Sequence, residues 1–306
     1  MFITISSLAA YAQQCDPDAE NELYSKFLTE HKSTPERRQS ANATAKEYLS
    51  KFGACPSDVE KKITAYIKTW QAEYETALVE RPCTNAVDKT PARAFELCKP
   101  YVARDPENLR AYLLLSLAGI KQNSKADPKV REETVRVARK ALDLIKSGKS
   151  VDPWTFGNSK DETVAALEFY SAYYTMAATP ADAASAMLKL ARSGTSYSKD
   201  PMTFLYLGKS VQQGEVNKLA DEYKRTCEGK DDTPDCVAAY AKIEVVTDRV
   251  IDAYARAVAL SSNNPDHASV AAMARPALID LYKERHDNST AGLDKLVADV
   301  LSKPIP

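Results

Sequence analysis

The amino-acid sequence predicts an all-α protein, and three observations support this prediction. Apolar residues recur at helical spacing along most of the chain, only 9 of 306 residues are glycine, and proline beside a capping residue separates the apolar stripes. Glycine supplies the positive φ that hairpins and phosphate loops require, so a chain this poor in glycine has few tight turns. No stretch shows the sustained alternation of apolar and polar residues that predicts a strand.

Each apolar stripe predicts one helix, and the breaks between stripes predict where helices start. Stripes with steps of three and four are Ile63/Ile67/Trp70/Tyr74/Ala77, Val135/Ala138/Leu142/Ile145 and Leu293/Leu296/Val297/Val300/Leu301. Predicted starts, each a capping residue followed by proline, are Asp105-Pro106, Asp127-Pro128, Thr179-Pro180, Asp200-Pro201, Thr233-Pro234 and Asn264-Pro265. This rule predicts about thirteen helices. Short connections between them predict antiparallel hairpins.

One segment interrupts this pattern and divides the predicted chain. Residues 148–160 hold two glycines and a proline around Trp154 and Phe156. Such clusters predict a linker, which would separate helical repeats in 13–147 from helical repeats in 161–306. A long loop between two repeats, held in place by its two aromatic residues, is the alternative interpretation.

The first twelve residues indicate an exported protein. Residues 1–12 are nearly all apolar or small, and they end in Ala10-Tyr11-Ala12, the small-x-small pattern of a signal-peptidase site. The basic segment that usually precedes this region is missing, so a truncated signal peptide is predicted. The alternative is a buried N-terminal helix, because the run is too short to span a bilayer. We expect a periplasmic or extracellular protein with no membrane span in the mature chain.

The six cysteines also favour export, because they fall into three pairs that are near in sequence. These pairs are Cys15 with Cys55, Cys83 with Cys98, and Cys227 with Cys236. Six cysteines allow 15 connectivities, so this pairing is a preference. Disulfides form in oxidising compartments, whereas a metal site needs closer cysteine or histidine partners. Cys98 lies in an apolar helical pattern and could instead be a small core residue.

Charge and motifs argue against several functions. The 41 basic and 42 acidic residues are interspersed, so no basic surface for a nucleic-acid partner is expected. Gly-Lys-Ser triplets at 148–150 and 208–210 lack the earlier glycine of a phosphate loop. His31, His267 and His286 are scattered, which predicts surface or helix-end positions. Without an activated nucleophile, we expect a protein that is not an enzyme and that has no catalytic, cofactor or metal site.

Large and small residues follow one another in a recurring order on successive predicted helices. The residues that carry this order are Phe204, Leu207 and Gly208, then Tyr254, Ala257 and Leu260, then Leu278, Tyr282, Ala291 and Ala298. The order resembles the tetratricopeptide repeat, in which small residues let two helices approach and large ones fill the space beside them. The resemblance implies an α-solenoid of stacked hairpins. Val250 and Lys295 depart from the pattern, so the repeat is degenerate. An irregular helical bundle is the alternative.

Several aromatic residues could line a binding groove. Tyr170, Tyr173 and Tyr174 share one face of a predicted helix, and Trp154 and Phe156 precede it. A core position between helices is the simpler interpretation, and a groove is the alternative, because tyrosine offers apolar area and a hydroxyl. Two glycosylation sequons begin at Asn42 and Asn288, and they matter only if the host glycosylates exported proteins.

These expectations combine into one functional hypothesis and one alternative. A helical-repeat surface without a reactive centre predicts a non-catalytic exported scaffold that binds a protein or peptide. The alternative is a structural subunit that stacks repeat on repeat into a surface or extracellular filament. The stripe from Leu293 to Leu301 motivates it, because a repeat array needs polar end caps to stay monomeric.

Intact-mass analysis of the native protein, with and without reduction, tests export and the cysteine pairing together. We expect the mature chain to begin after Ala12 and its mass to rise by six hydrogens on reduction, because all six cysteines are paired. A mass that retains residues 1–12 would contradict cleavage after Ala12, and a mass that does not change on reduction would contradict the cysteine pairing.

Overall fold

The computed structural model describes residues 15–122, 127–229, 233–262 and 264–306. The predicted signal peptide, residues 1–12, lies outside the described residues. Within the described ranges the chain is helical and contains no strand, which confirms the all-α prediction. None of the helices in these ranges combines the length and the apolar composition that crossing a bilayer requires.

Thirteen α-helical segments can be numbered along the described residues. They are α1 Pro17–Glu30, α2 Pro35–Phe52, α3 Asp58–Lys89, α4 Ala94–Arg104, α5 Leu109–Lys121, α6 Pro128–Lys146, α7 Lys160–Thr175, α8 Pro180–Ala191, α9 Pro201–Val211, α10 Asn217–Cys227, α11 Pro234–Ser261, α12 Ala268–Arg285 and α13 Leu293–Asp299. A π-helical segment, Gln212–Val216, joins α9 to α10, so these two also form one continuous helix. Counted that way, the described chain has twelve helices.

Most of the predicted helix starts coincide with observed ones. The side chains of Asp127, Asp200 and Thr233 each accept a hydrogen bond from a backbone amide in the first turn of the helix that follows. The start predicted at Asp105-Pro106 was wrong by several residues. The Asp105 carboxylate accepts from the amide of Glu107 in a turn, and Asn108 caps α5 instead, accepting from the amide of Ala111 at 3.1 Å.

The described chain divides into two compact units. The first contains the described residues up to Asn85 together with Leu97–Arg104, and the second contains Ala86–Glu96 and Asp105–Pro306. Residues 148–160 therefore belong to the second unit, where they lie in the connection between α6 and α7. The domain boundary predicted there stays a prediction.

The first unit has an aromatic core formed mainly by α1, α2 and α3. Its buried residues are Phe27, Ala41, Ala45, Tyr48, Phe52, Cys55 and Ile67. His31 lies at the end of α1, as expected, but it is buried beside the ring of Phe27. Its Nδ1 lies 3.0 Å from the carbonyl oxygen of Leu28, and its Nε2 lies 2.8 Å from the hydroxyl of Tyr66. The imidazole thus has a partner at each nitrogen and acts as a polar core residue.

The disulfides coincide with the pairs that the sequence favours. Cys15 is bonded to Cys55 and Cys83 to Cys98 within the first unit, and Cys227 is bonded to Cys236 within the second. Cys98 is buried and bonded, so the interpretation as an unpaired core residue was wrong. No cysteine is free among the described residues.

In the second unit, each helix packs mainly on its neighbours in sequence. Contacts run from α5 to α6, then to α7, α8 and α9. From there α9 packs on α11, and α11 packs on α12 and more lightly on α13. The shared core is largely aliphatic, and α9 and α11 supply many of its members. This order of packing is what allows α8, α9 and α11 to border a common groove.

The closest approach of α9 and α11 depends on one glycine. A Cβ atom added to Gly208 would lie 2.7 Å from Cε1 of Tyr254, so the tyrosine ring occupies the space that a side chain would take. Tyr254 is 1% exposed, and its hydroxyl donates to Oε1 of Gln212 at 3.0 Å. Gly208 on α9 therefore faces Tyr254 on α11. The hydrogen bond from Tyr254 to Gln212 also fixes the first residue of the π-helical segment.

We predict that Gly208→Ala destabilises the fold by about 1–3 kcal/mol, because overpacking at Tyr254 outweighs the gain of about 1 kcal/mol in helix propensity. Urea unfolding measures the change. Gly194→Ala is the matched control, since an added Cβ there meets nothing within 4 Å and should leave stability nearly unchanged. Equal stability of the two variants would contradict the close packing of α9 on α11.

Candidate functional site

A groove of about 620 Å³ lies among α8, α9, α10 and α11 in the second unit, and we call it the α8–α11 groove. Leu188 of α8 and Leu207 and Val211 of α9 form its apolar wall, with Pro180 at the start of α8. Pockets that bind ligands are mostly apolar and carry a few polar groups that orient the ligand. This groove has that composition.

The π-helical segment shapes one side of the groove. Gly214 lies on this segment, and a Cβ atom added to it would approach the amide nitrogen of Ala181 to 3.3 Å. Glycine thus lets the segment lie against the N-terminus of α8. Because a π-helical turn widens a helix locally and is frequent at functional sites, its position here supports a functional role for the groove.

Charged residues at the groove are partly neutralised. Glu215 and Arg249 form an ion pair of 3.0 Å. Asp252 also lines the groove and is paired with Arg256, one turn along α11, at 2.7 Å. Lys218 and Asp182 line the groove as well and form no ion pair with any described residue. The rim therefore offers one cation and one anion to a ligand.

Residues 303–306 lie outside any helix, beside the groove, and we call them the 303–306 strap. Ile305 and Pro306 line the groove directly. The Arg256 Nη2 donates to the carbonyl oxygens of Lys303 and Pro304 at 3.0 and 2.8 Å. Arg192 Nη2 donates to the main-chain oxygens of Ile305 and Pro306 at 3.1 and 2.9 Å. The two arginines thus hold four consecutive main-chain oxygens.

The guanidinium of Arg256 is also held by contacts that do not involve the strap. The residue is 3% exposed, Nε donates to Oδ2 of Asp252 at 2.7 Å, and Cζ lies 6.0 Å from the centre of the Phe204 ring. A buried cation is tolerated only when it is paired and hydrogen-bonded. Asp252 and the two strap carbonyls meet this requirement together.

Ser210 is a second polar group of interest in the groove wall. Its side chain is fully buried, and Oγ has no hydrogen-bond partner among the described residues. An unsatisfied buried hydroxyl costs about 1–3 kcal/mol. Because Ser210 has no exposed area, this hydroxyl lies behind the surface of the groove.

The structure brings together the three tyrosines predicted on one helical face. Tyr170, Tyr173 and Tyr174 all lie on α7 and are half-buried, with the rings of Tyr173 and Tyr174 centred 5.2 Å apart. Tyr173 also packs on Tyr206 of α9, with ring centres 4.7 Å apart. Burial raises the pKa of the Tyr170 and Tyr206 hydroxyls above the ordinary tyrosine value. These hydroxyls therefore stay neutral at physiological pH.

Trp154 and Phe156 do not join these tyrosines. Both are half-buried in the connection before α7, and neither makes a ring contact with another aromatic residue in the described chain. The carbonyl oxygen of Phe156 accepts a hydrogen bond of 2.9 Å from Oγ1 of Thr163, which ties this connection to α7. Whether any of the five aromatic residues binds a ligand stays a prediction.

Tyr174 lines another groove, of about 770 Å³, between α6 and the end of α7. Tyr112 lies on the same groove, which also carries Arg131, Arg139 and Lys140. None of these three cations forms an ion pair with a described residue. The exposed face of an amphipathic helix commonly carries such charges, so they do not by themselves define a site.

The two sequons differ in accessibility. Asn42 is half-buried inside α2, and Thr44 of the same sequon is 4% exposed, so this site is closed in the folded chain. Asn288 lies in an exposed turn with φ of 61°. Only the second sequon could be modified on the folded protein.

The described residues can also be compared with the ligand groups that metal sites use. No three histidine, cysteine, aspartate or glutamate side chains gather as metal ligands would in these ranges. Burial raises the pKa of the Asp200 carboxyl, but this carboxylate accepts from the amide of Met202 at 2.8 Å and so serves as a helix cap. What the α8–α11 groove offers is binding through apolar area and hydrogen bonds.

Comparison with known proteins adds no assignment. No family model, no curated protein and no solved structure matches this chain.

The α8–α11 groove was missed at the sequence level for a physical reason. Leu188, Leu207 and Val211 belong to ordinary helical stripes, and such stripes predict core positions whether or not a groove opens beside them. The strap follows the last predicted helix and carries two prolines, Pro304 and Pro306, which mark only the end of a helix in the sequence. The i, i+4 spacing of Asp252 and Arg256 is compatible with an ion pair, but such pairs are equally common on exposed helices and do not indicate a groove.

We predict that stability falls as pH rises from 10 towards 12, with Tyr254 contributing about 2 kcal/mol of the loss. Burial raises the pKa of this hydroxyl to about 12. The unfolded chain therefore loses the proton first, near pH 10, and the stabilisation is present in full only below that pH. Urea unfolding at several pH values measures the slope.

Tyr254→Phe should show a shallower loss above pH 10, although it is less stable near neutral pH because the hydrogen bond to Gln212 is gone. Tyr240→Phe is the control, since Tyr240 is 47% exposed and its removal leaves the buried rings in place. The same slope in wild type and Tyr254→Phe would contradict burial of this hydroxyl.

Proposed function

We propose that this chain is a non-catalytic exported binding protein whose α8–α11 groove holds an extended segment of a protein partner. The observation that carries the proposal is the 303–306 strap. It is a non-helical segment beside the groove, held through its main-chain oxygens by Arg192 and Arg256. A site that already holds one segment by its main chain has the chemistry to hold another.

The walls of the groove suit a peptide better than a small polar metabolite. Leu188, Leu207 and Val211 provide apolar area, which stabilises a bound side chain by about 25 cal/mol for each Å² buried. The free charges of Lys218 and Asp182 can orient the ligand. Orientation by few polar groups in an apolar groove is a common mode of peptide recognition.

The cysteines support export. Each of the six is bonded to another, and disulfides persist in oxidising compartments such as the periplasm and the extracellular space. The small-x-small pattern that ends at Ala12 points to the same compartments.

Sequential packing in the second unit supports a degenerate tetratricopeptide-like solenoid as the architecture of the binding surface. Each helix from α5 to α9 packs on the next, as stacked hairpins do. Gly208 facing Tyr254 provides the small-against-large contact that the resemblance implies.

The alternative, a subunit that stacks into a filament, has less support. Its motivating stripe on α13 is mostly used inside the second unit, where Leu293 is 6% exposed and Val300 is fully buried. Leu301 remains 48% exposed, which is a small apolar area for an end-to-end contact. Light scattering of the purified protein would reveal filaments if this alternative were right.

Selection of short random peptides on the purified chain tests the proposed function. We expect selected peptides to bind the wild type and to lose affinity at least about tenfold on Leu188→Glu, because burial of an unpaired carboxylate costs well over 1.4 kcal/mol. Met273→Glu is the matched control, since it makes the same apolar-to-acidic change at a position 43% exposed on α12, away from the groove. The proposal fails if no peptide is enriched, or if the enriched peptides bind both variants equally.

A further inference from the structure

We propose that the ligand of the α8–α11 groove is a proline-containing extended segment, and that the 303–306 strap is its intramolecular counterpart. This inference rests on the proposed function, because it names the chemical class of the segment that the groove receives. It also makes the strap a competitor, which a partner segment must replace at Arg192 and Arg256.

The first argument concerns hydrogen-bond donors and acceptors. Both groups that hold the strap are guanidinium groups, which donate hydrogen bonds and accept none. An ordinary extended peptide presents a carbonyl and an N–H at every residue, and the two guanidinium groups offer no acceptor to such an N–H. Proline has no N–H. A segment with alternate prolines therefore presents oxygens to the two arginines and fewer N–H groups that they cannot satisfy, and Pro304-Ile305-Pro306 is such a segment.

The second argument concerns conformational entropy. Proline restricts φ to about −65°, so proline-containing segments are already extended before they bind. Lys303 continues this geometry, with φ of −98° and ψ of 151°. A rigid segment loses less entropy when it is held at four successive oxygens than a flexible one would.

The third argument concerns the space beside the strap. Ile305 is half-buried and packs against the core of the second unit, so the residue between the prolines is the apolar anchor. The cavity that Ile305 and Pro306 border continues along Leu188 and Val211. A longer partner segment could occupy the positions of the strap and extend over these apolar walls, where the unpaired hydroxyl of Ser210 also lies. The strap fills only part of what the groove offers.

The same contacts explain why the strap would compete with a partner segment for the groove. Arg256 Nη2 already donates to two strap carbonyls, and Arg192 Nη2 to two main-chain oxygens. A partner can use these donors only after the strap has left. Weakening the strap without changing the arginines should therefore strengthen binding of a partner segment.

Fluorescence anisotropy with two labelled, capped peptides tests the inference. One peptide has the sequence of residues 300–306, Val-Leu-Ser-Lys-Pro-Ile-Pro, and the other has alanine in place of both prolines. The proteins are the full chain, its Ile305→Gly variant, and the double variant Ile305→Gly/Arg192→Gln. Ile305→Gly removes the apolar anchor of the strap and keeps its carbonyls, so the fold and the arginines are retained.

We expect the Ile305→Gly variant to bind the proline peptide at least tenfold more tightly than the full chain does, and at least tenfold more tightly than it binds the alanine peptide. The double variant should lose most of this affinity, because two of the four oxygens lose their donor. Equal affinity for the two peptides, or equal affinity of the full chain and Ile305→Gly, would overturn the inference.

Failure of this inference is distinguishable from failure of the proposed function. If random peptides bind in a manner sensitive to Leu188→Glu while the proline and alanine peptides bind alike, the groove binds peptides and the proline preference is wrong. If no peptide of any kind binds, both proposals are wrong. If Ile305→Gly fails to fold, which circular dichroism detects, the milder variant Ile305→Ala, which keeps the strap carbonyls at Arg256, is compared with the full chain by the same two peptides and the same criteria.

Discussion

The buried guanidinium of Arg256 is the interaction on which the organisation of the groove depends. It is a charge removed from water, so it must be surrounded by acceptors, and α11 alone supplies only Asp252. The remaining acceptors come from the carbonyls of Lys303 and Pro304. Arg256 thereby fixes the position of Lys303 and Pro304 beside the groove.

Helical architecture could be predicted from the sequence because it depends on local properties. Apolar spacing, scarcity of glycine and caps such as Asp127 and Asp200 act within a few residues, and the observed helices follow them. The cysteine pairing could be favoured from the sequence, because the bonded partners are consecutive cysteines along the chain. Local rules failed at Asp105, because its carboxylate accepts from the amide of Glu107 in a turn, while Asn108, three residues on, accepts from the amide of Ala111 and caps the helix.

The candidate site could not be read from the sequence because it depends on distant residues meeting. Arg192 and Pro306 are separated by 114 residues, and no periodic pattern relates them. The π-helical segment at Gln212–Val216 breaks no sequence rule, since its glycine is as compatible with an ordinary helix turn. The tyrosines illustrate the same limit of local sequence patterns. Their shared face on α7 was predicted, but which rings meet the core depended on Tyr206 of another helix.

The two arginines hold residues 303–306 through main-chain oxygens, and the Ile305 side chain adds an apolar contact with the core. The exposed side chain of Lys303 takes part in neither contact, so this position tolerates substitution, and the location of the segment has a practical consequence for handling the protein. A purification tag joined to Pro306 would begin beside the groove, because Pro306 lines it. Reagents for immobilisation are better attached through the exposed turn at Asn288, which none of these contacts uses.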